Sequence, residues 1–133
     1  MKISARERTG LRAMVEFARH YGQGPTSLSN VARAQDLPLP YLGRVVGALR
    51  RSGLLESRRG VHGGYLLARP PATISVGDVF RAVGERMMNL DCVAAGGPGC
   101  AREETCAARN VLQLVAERMR ETLDDTSLAD MIH

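Results

Sequence analysis

Three apolar stripes at helical spacing, cut apart by glycine and proline, run from Ser4 to Gly53 and leave few folds open. Leu11, Met14, Val15 and Ala18 fall at i, i+3, i+4 and i+7, the spacing of one buried helical face. Ser4 and Glu7 stand in front of them at the separation of a reciprocal N-terminal cap, so the pattern predicts a helix from Ser4 to Tyr21. Gly22-Gln23-Gly24-Pro25 breaks it, and Leu28, Val31 and Ala32 predict a short second helix starting at Thr26 or Ser27. After Gln35-Asp36-Leu37-Pro38, the residues Leu42, Val45, Val46 and Leu49 repeat the full pattern. Pro40 is tolerated in the first turn of that third helix and Gly53 closes it.

A short helix, a tight turn and a second helix form the order of a helix-turn-helix, with Pro40 to Arg51 as its recognition helix. Leu54-Leu55-Glu56-Ser57-Arg58 and Gly64-Tyr65-Leu66-Leu67-Ala68 read as two strands around Arg59-Gly60-Val61-His62-Gly63, a glycine-rich turn that would make a wing. Pro70-Pro71 ends the unit, because neither proline donates a backbone hydrogen bond and both resist helix. The expected architecture is mostly α with a small β wing: a winged helix-turn-helix domain over 1–71, then a region over 72–133 that carries a cysteine loop and a long helix.

Charge divides along the same line. Lys2 is the only lysine beside 17 arginines; residues 1–70 hold 12 basic side chains against 4 acidic, and residues 71–133 hold 6 against 10. Arginine presents a planar fork of donors suited to phosphate, so the first part is the candidate for meeting a polyanion. The longest charge-free stretch, His20 to Ala32, contains glycine, proline and serine and falls short of the ~18 apolar residues of a membrane span. Arg6, Glu7, Arg8 and Arg12 interrupt any apolar run near the start, so no secretory signal is expected and the cytoplasm is the default. No phosphate-binding glycine loop, nucleophile elbow or zinc-protease helix is present, and an enzyme is not expected.

In the second part, Ser75 and Asp78 frame another helix start, with Val76, Val79, Phe80 and Val83 on one face. The helical pattern stops from Asn89 to Thr105, around Gly96-Gly97-Pro98-Gly99. It resumes from Ala107 to Leu123, where Leu112, Val115, Met119 and Leu123 form a stripe for a dimerisation helix or for packing within the chain. Ser127 to Ile132 allows a last turn. Cys92, Cys100 and Cys106 are odd in number, which argues against a disulfide framework. Thiolates suit an iron-sulfur cluster, zinc or redox sensing, and the spacing alone leaves all three open.

The string Arg58-Arg59-Gly60-Val61-His62-Gly63-Gly64-Tyr65-Leu66-Leu67-Ala68-Arg69-Pro70, the basic winged unit before it and the three-cysteine segment ahead of a long helix together resemble the bacterial transcription regulators of the IscR and NsrR type. The resemblance covers nearly the whole chain. It implies a homodimer, paired through the helix around 107–123, that binds a double-stranded DNA operator as repressor or activator, repression being the favoured sign. It also implies an iron-sulfur cluster, 2Fe-2S or 4Fe-4S, on Cys92, Cys100 and Cys106, whose state tunes DNA affinity in response to iron-sulfur status, redox or nitric oxide. Arg109 stands where the IscR type has a ligating histidine, and Arg8 where the NsrR type has an aspartate from the first helix. A fourth ligand is then sought in Glu7, Asp91, Glu103, Glu104 or a small exogenous molecule.

On the recognition helix, Tyr41, Gly43, Arg44, Gly47, Arg50 and Arg51 lie off the apolar stripe. Residues near a recognition helix's N-terminus reach base edges while flanking arginines grip phosphates. The expected DNA contacts are therefore Pro40, Tyr41, Arg44, Arg50 and Arg51, joined by Arg58, Arg59 and His62 of the wing, with Arg59 and His62 placed for a minor groove. Gly43 stands where the IscR type carries a base-reading glutamate, and Pro38 and Pro40 where serines are frequent, so the operator is not expected to be that regulator's. Two other functions fit the residues: a cluster-free regulator using its cysteines as thiol sensors, and a protein-interaction adaptor whose basic face is incidental.

Overall fold

The computed structural model describes residues 3–84 and 108–132. Helix α1 spans Ala5–Arg19, and the cap in front of it is reciprocal: Ser4 N–H donates to Glu7 Oε1 at 2.9 Å and Glu7 N–H to Ser4 Oγ at 3.1 Å. Helix α2, Leu28–Gln35, begins behind Ser27, whose hydroxyl accepts from Asn30 N–H. Asp36, left-handed at φ 52°, makes the turn into α3, Leu39–Arg51. Aspartate is among the few non-glycine residues that tolerate this conformation. Proline at positions 38 and 40 leaves the start of α3 with no side-chain cap.

Strands β1, Leu55–Arg58, and β2, Gly64–Leu67, pair antiparallel with Leu55 opposite Leu67 and Arg58 opposite Gly64, one residue shorter at the outer ends than the sequence pattern suggests. A third element joins them. Thr26 N–H donates to the Tyr65 carbonyl at 2.8 Å and Tyr65 N–H to the Thr26 carbonyl at 2.9 Å, so the residue before the α2 cap is bridged to the wing. After a short 3-10 turn at Pro71–Thr73, α4 covers Val76–Ala82 behind a second reciprocal cap, Ser75 with Asp78. Helix α5 covers Arg109–Asp125 and a final 3-10 turn covers Ala129–Met131.

Helix α1 is central, packed against α2, α3, α4 and β2. The core holds Met14 and Phe17 of α1, Val31 of α2, Leu42, Val45, Val46 and Leu49 of α3, and Leu55 and Leu67 of the wing. It continues across Pro70-Pro71 to Ile74, Val79, Val83 and Leu128, so both parts of the chain share apolar packing. Phe17 meets Tyr65 edge to face at 6.5 Å between centroids, a contact that seats the wing on α1.

The chain after α5 is tied to the chain before α4 by Val76 N–H to the Thr126 carbonyl and Leu128 N–H to the Ile74 carbonyl, both 2.9 Å. A run of ion pairs covers this seam: Arg69 to Asp78 at 3.1 Å, Asp78 to Arg81 at 3.0 Å, and Arg81 to Asp124 at 3.0 Å. Asp124 reaches Arg81 across Gly77, where any β-carbon would lie 2.0 Å from its carboxylate oxygen. Burial opposes ionisation of Asp78, but bonds from Ser75 and Arg81 and the charge of Arg69 outweigh it and hold the carboxyl below its usual range. A carboxylate depressed in the folded state stabilises fully above its unfolded pKa and loses that contribution as pH falls through the folded value. Asp78→Asn, which keeps an oxygen for the cap but removes the charge, should be less stable than wild type at pH 7. In urea melts the gap should narrow below about pH 4, and a gap constant down to pH 2 would remove Asp78 ionisation as its source.

Candidate nucleic-acid interface

The turn from α2 to α3 is fixed from below. The Arg12 guanidinium on α1 donates to the Gln35 carbonyl at the end of α2 and to Gln35 Oε1 at 3.3 Å, while Gln35 Nε2 donates to Glu16 Oε2 at 2.7 Å. A cation at a helix C-terminus also suits the helix dipole. Burial works against ionisation of Glu16, yet the Gln35 bond and the charges of Arg19 and His20 prevail and hold its carboxyl below the usual range. Arg12 and Glu16 of α1 thus hold Gln35, the last residue of α2, where the chain turns toward α3.

Helix α3 buries Leu42, Val45, Val46, Ala48 and Leu49, and the opposite face carries Pro40, Gly43, Arg44, Gly47, Arg50 and Arg51. Pro40, Arg44, Arg50 and Arg51 are exposed as the sequence predicts. Tyr41 is half-buried: its ring packs against the core and at the same time underlies Arg44, whose guanidinium carbon sits 5.8 Å from the ring centroid. In the wing, Arg58, Arg59 and His62 are all exposed, with Gly63 N–H bonded to the Gly60 carbonyl at 3.0 Å to close the tip. Arg58 is paired with Glu56 at 3.2 Å, a surface contact of small energetic weight that a phosphate would displace readily.

Among the described residues, Arg44, Arg50, Arg51 and Arg59 make no ion pair, whereas Arg19, Arg58, Arg69 and Arg81 each have a carboxylate partner. Four arginines without an ion pair thus lie on the recognition helix and the wing, while others, among them Arg6, Arg8, Arg33, Arg118 and Arg120, lie elsewhere among the described residues. The tip also carries Val61, 97% exposed, which sequence reasoning passed over. Its signal was an apolar residue set between two basic ones in a glycine turn.

The three cysteines lie in 85–107, outside the described residues. Glu7 is fully buried, with Oε1 in the cap and Oε2 lacking a hydrogen-bond partner, and Arg8 is exposed. Among the described residues no group of three or more His, Cys, Asp or Glu is placed to hold a metal ion, and no helix is long and apolar enough to cross a membrane.

An α3 bearing free arginines, with a two-stranded wing behind it, defines a winged helix-turn-helix DNA-binding regulator. The chain belongs to the Rrf2 family of iron-dependent transcriptional regulators, whose profile matches residues 3–133. It is 35% identical to the HTH-type transcriptional regulator CymR of Bacillus subtilis over 98% of its own length and 89% of that protein's. The solved structure of CymR, the global cysteine regulator of B. subtilis, superposes with a TM-score of 0.85 at 34% identity, covering 98% of this chain and 95% of that one. T. potens IscR superposes with a TM-score of 0.80 at 37% identity, covering 98% and 85%.

Proposed function

We propose that this regulator is a homodimeric repressor that grips a near-palindromic operator with α3 and the wing, and that an iron-sulfur cluster on Cys92, Cys100 and Cys106 sets its DNA affinity. The exposure of Arg44, Arg50, Arg51, Arg58 and Arg59 along α3 and the wing, four of them without an ion pair among the described residues, is the observation that most supports the DNA contact. Pro40, Tyr41 and Arg44 then face bases, with Arg50, Arg51 and Arg58 on phosphates and Arg59 and His62 at a minor groove. Pairing is assigned to α5, where Val111, Leu114 and Val115 are exposed although apolar, and Ile3 lines one groove with Leu114 and Val115.

Three thiolates are soft donors of the kind that iron-sulfur clusters take, so the donor set fits the group. When bound, the cluster supplies a centre sensitive to iron supply, oxidation and nitric oxide. Arg109, at the head of α5, cannot serve as the fourth ligand, and Glu7 with its unpartnered oxygen stays among the candidates. The chain's own residues carry the signal. A shift of α5 is passed through Asp124 and Arg81 to α4, then through Asp78 and Arg69 to the chain that follows β2.

Similarity to CymR, the global cysteine regulator of B. subtilis, favours a second reading in which the same cysteines act as cluster-free thiol sensors. Protein isolated without air decides between them. The first reading expects colour, an electron paramagnetic resonance signal after reduction, and about two or four irons per protomer that Cys→Ser at 92, 100 or 106 removes. Colourless protein whose DNA affinity answers to peroxide in the absence of metal establishes the second. Operator binding that does not weaken steeply with salt would instead mark the basic face as incidental and the protein as an adaptor.

A further inference from the structure

Two features of α3 are unexplained by the protein alone. Gly43 lies in the helix interior, where glycine costs about 1 kcal/mol relative to alanine, yet a β-carbon added there meets no atom of the described residues within 4 Å. Among the described residues, no packing, turn or positive φ asks for a glycine at this position. Arg44, next to it, is exposed and without an ion pair among the described residues, but it lies against the Tyr41 ring, and that ring is anchored in the core.

We infer that Arg44, braced on Tyr41, reads a guanine in each half-site, and that Gly43 is bare so that the α3 backbone can seat against the groove edge beside that base. This rests on α3 being the recognition helix of the proposed function. Guanine is the base whose major-groove edge offers two acceptors, O6 and N7, at the separation of the guanidinium fork. A guanidinium held on an aromatic face loses less freedom when it makes two hydrogen bonds than a free one. Arg50 and Arg51, at the other end of α3 and without such a brace, suit phosphates. Gly47, one turn along the same face, would place a β-carbon 3.3 Å from the Arg51 guanidinium, so its lack of a side chain lets that arginine lie along the helix.

The test selects binding sites from a randomised duplex pool with the full-length wild-type dimer, then measures variants on the selected duplex and its single-base mutants. Wild type should select an invariant guanine in each half-site. Arg44→Ala should lose affinity for that duplex about ten- to a hundredfold and lose its preference at that one position, while discrimination elsewhere stays intact. Tyr41→Phe should keep the preference and Tyr41→Leu should blunt it. Gly43→Ala should raise the melting temperature by about 3 °C while weakening binding to the selected duplex at least about tenfold. The inference is overturned if Gly43→Ala gains stability with affinity unchanged, or if Arg44→Ala weakens all duplexes equally, the mark of a phosphate contact. If wild type enriches no duplex at all, the DNA-binding reading itself fails and this inference falls with it.

Discussion

Gly64→Ala should unseat the wing, lowering stability by about 3 kcal/mol and the melting temperature by about 10 °C, and operator binding should go with it. Gly64 opens β2 at φ +153°, a conformation that L side chains rarely adopt. A β-carbon there would lie 2.3 Å from the Thr26 carbonyl oxygen and 2.9 Å from Ser27 N. Both are backbone atoms, so no side chain can swing away. Relief requires β2 to withdraw from residues 26 and 27, which breaks the Thr26–Tyr65 bridge and disturbs Ser27, the cap of α2. Gly60→Ala is the matched control, since φ is also positive there but a β-carbon would enter open space. Calorimetry on the pair checks this: a Gly64→Ala protein that melts with wild type would show that the wing is not held where the bridge places it.

Leu114→Glu combined with Val115→Glu should yield a folded monomer whose affinity for the full operator is at least about a hundredfold lower. Both residues are about half exposed in the protomer, so the charges cost the isolated fold little. In a dimer they would bury two carboxylates per subunit without partners. Loss of pairing separates the two half-site contacts, and with them the gain from effective concentration. Sedimentation and circular dichroism measure the two halves of this expectation. A variant that remains dimeric would move the interface away from this face of α5.

The elements were legible wherever they are governed by neighbours in sequence. Ser4 with Glu7 and Ser75 with Asp78 are three residues apart, and each cap forms where that separation placed it, while of the two starts open to the second helix the cap falls on Ser27. The stripe Leu42, Val45, Val46 and Leu49 is buried as predicted, while Phe17, outside the expected α1 stripe, proves to be among the largest buried side chains. Helix α5 departs furthest. Its predicted stripe divides, with Leu112, Met119 and Leu123 half-buried, Val115 exposed and Ala116, outside the predicted stripe, buried. Periodicity reports that a face is apolar, not which surface covers it.

On the candidate interface, the exposure of Pro40, Arg44, Arg50, Arg51, Arg58, Arg59 and His62 agrees with their place off the apolar stripes, because exposure follows from period and charge. The partners did not show in the sequence. Nothing in it paired Arg58 with Glu56, laid Arg44 on Tyr41, or joined Asp124 to Arg81 across Gly77. The cysteine segment lies outside the described residues, and its role rests on the chemistry of three thiols.

The amino-acid sequence by itself determined the helices, their caps, the wing and the basic character of the first part of the chain, because each depends on contacts within a few residues. Only the tertiary structure decided which arginines find a carboxylate partner, why position 64 must be glycine while position 43 meets no neighbour among the described residues, and how α5 is fastened to α4. These depend on backbone and charge brought together from distant parts of the chain, and no local pattern encodes such distances.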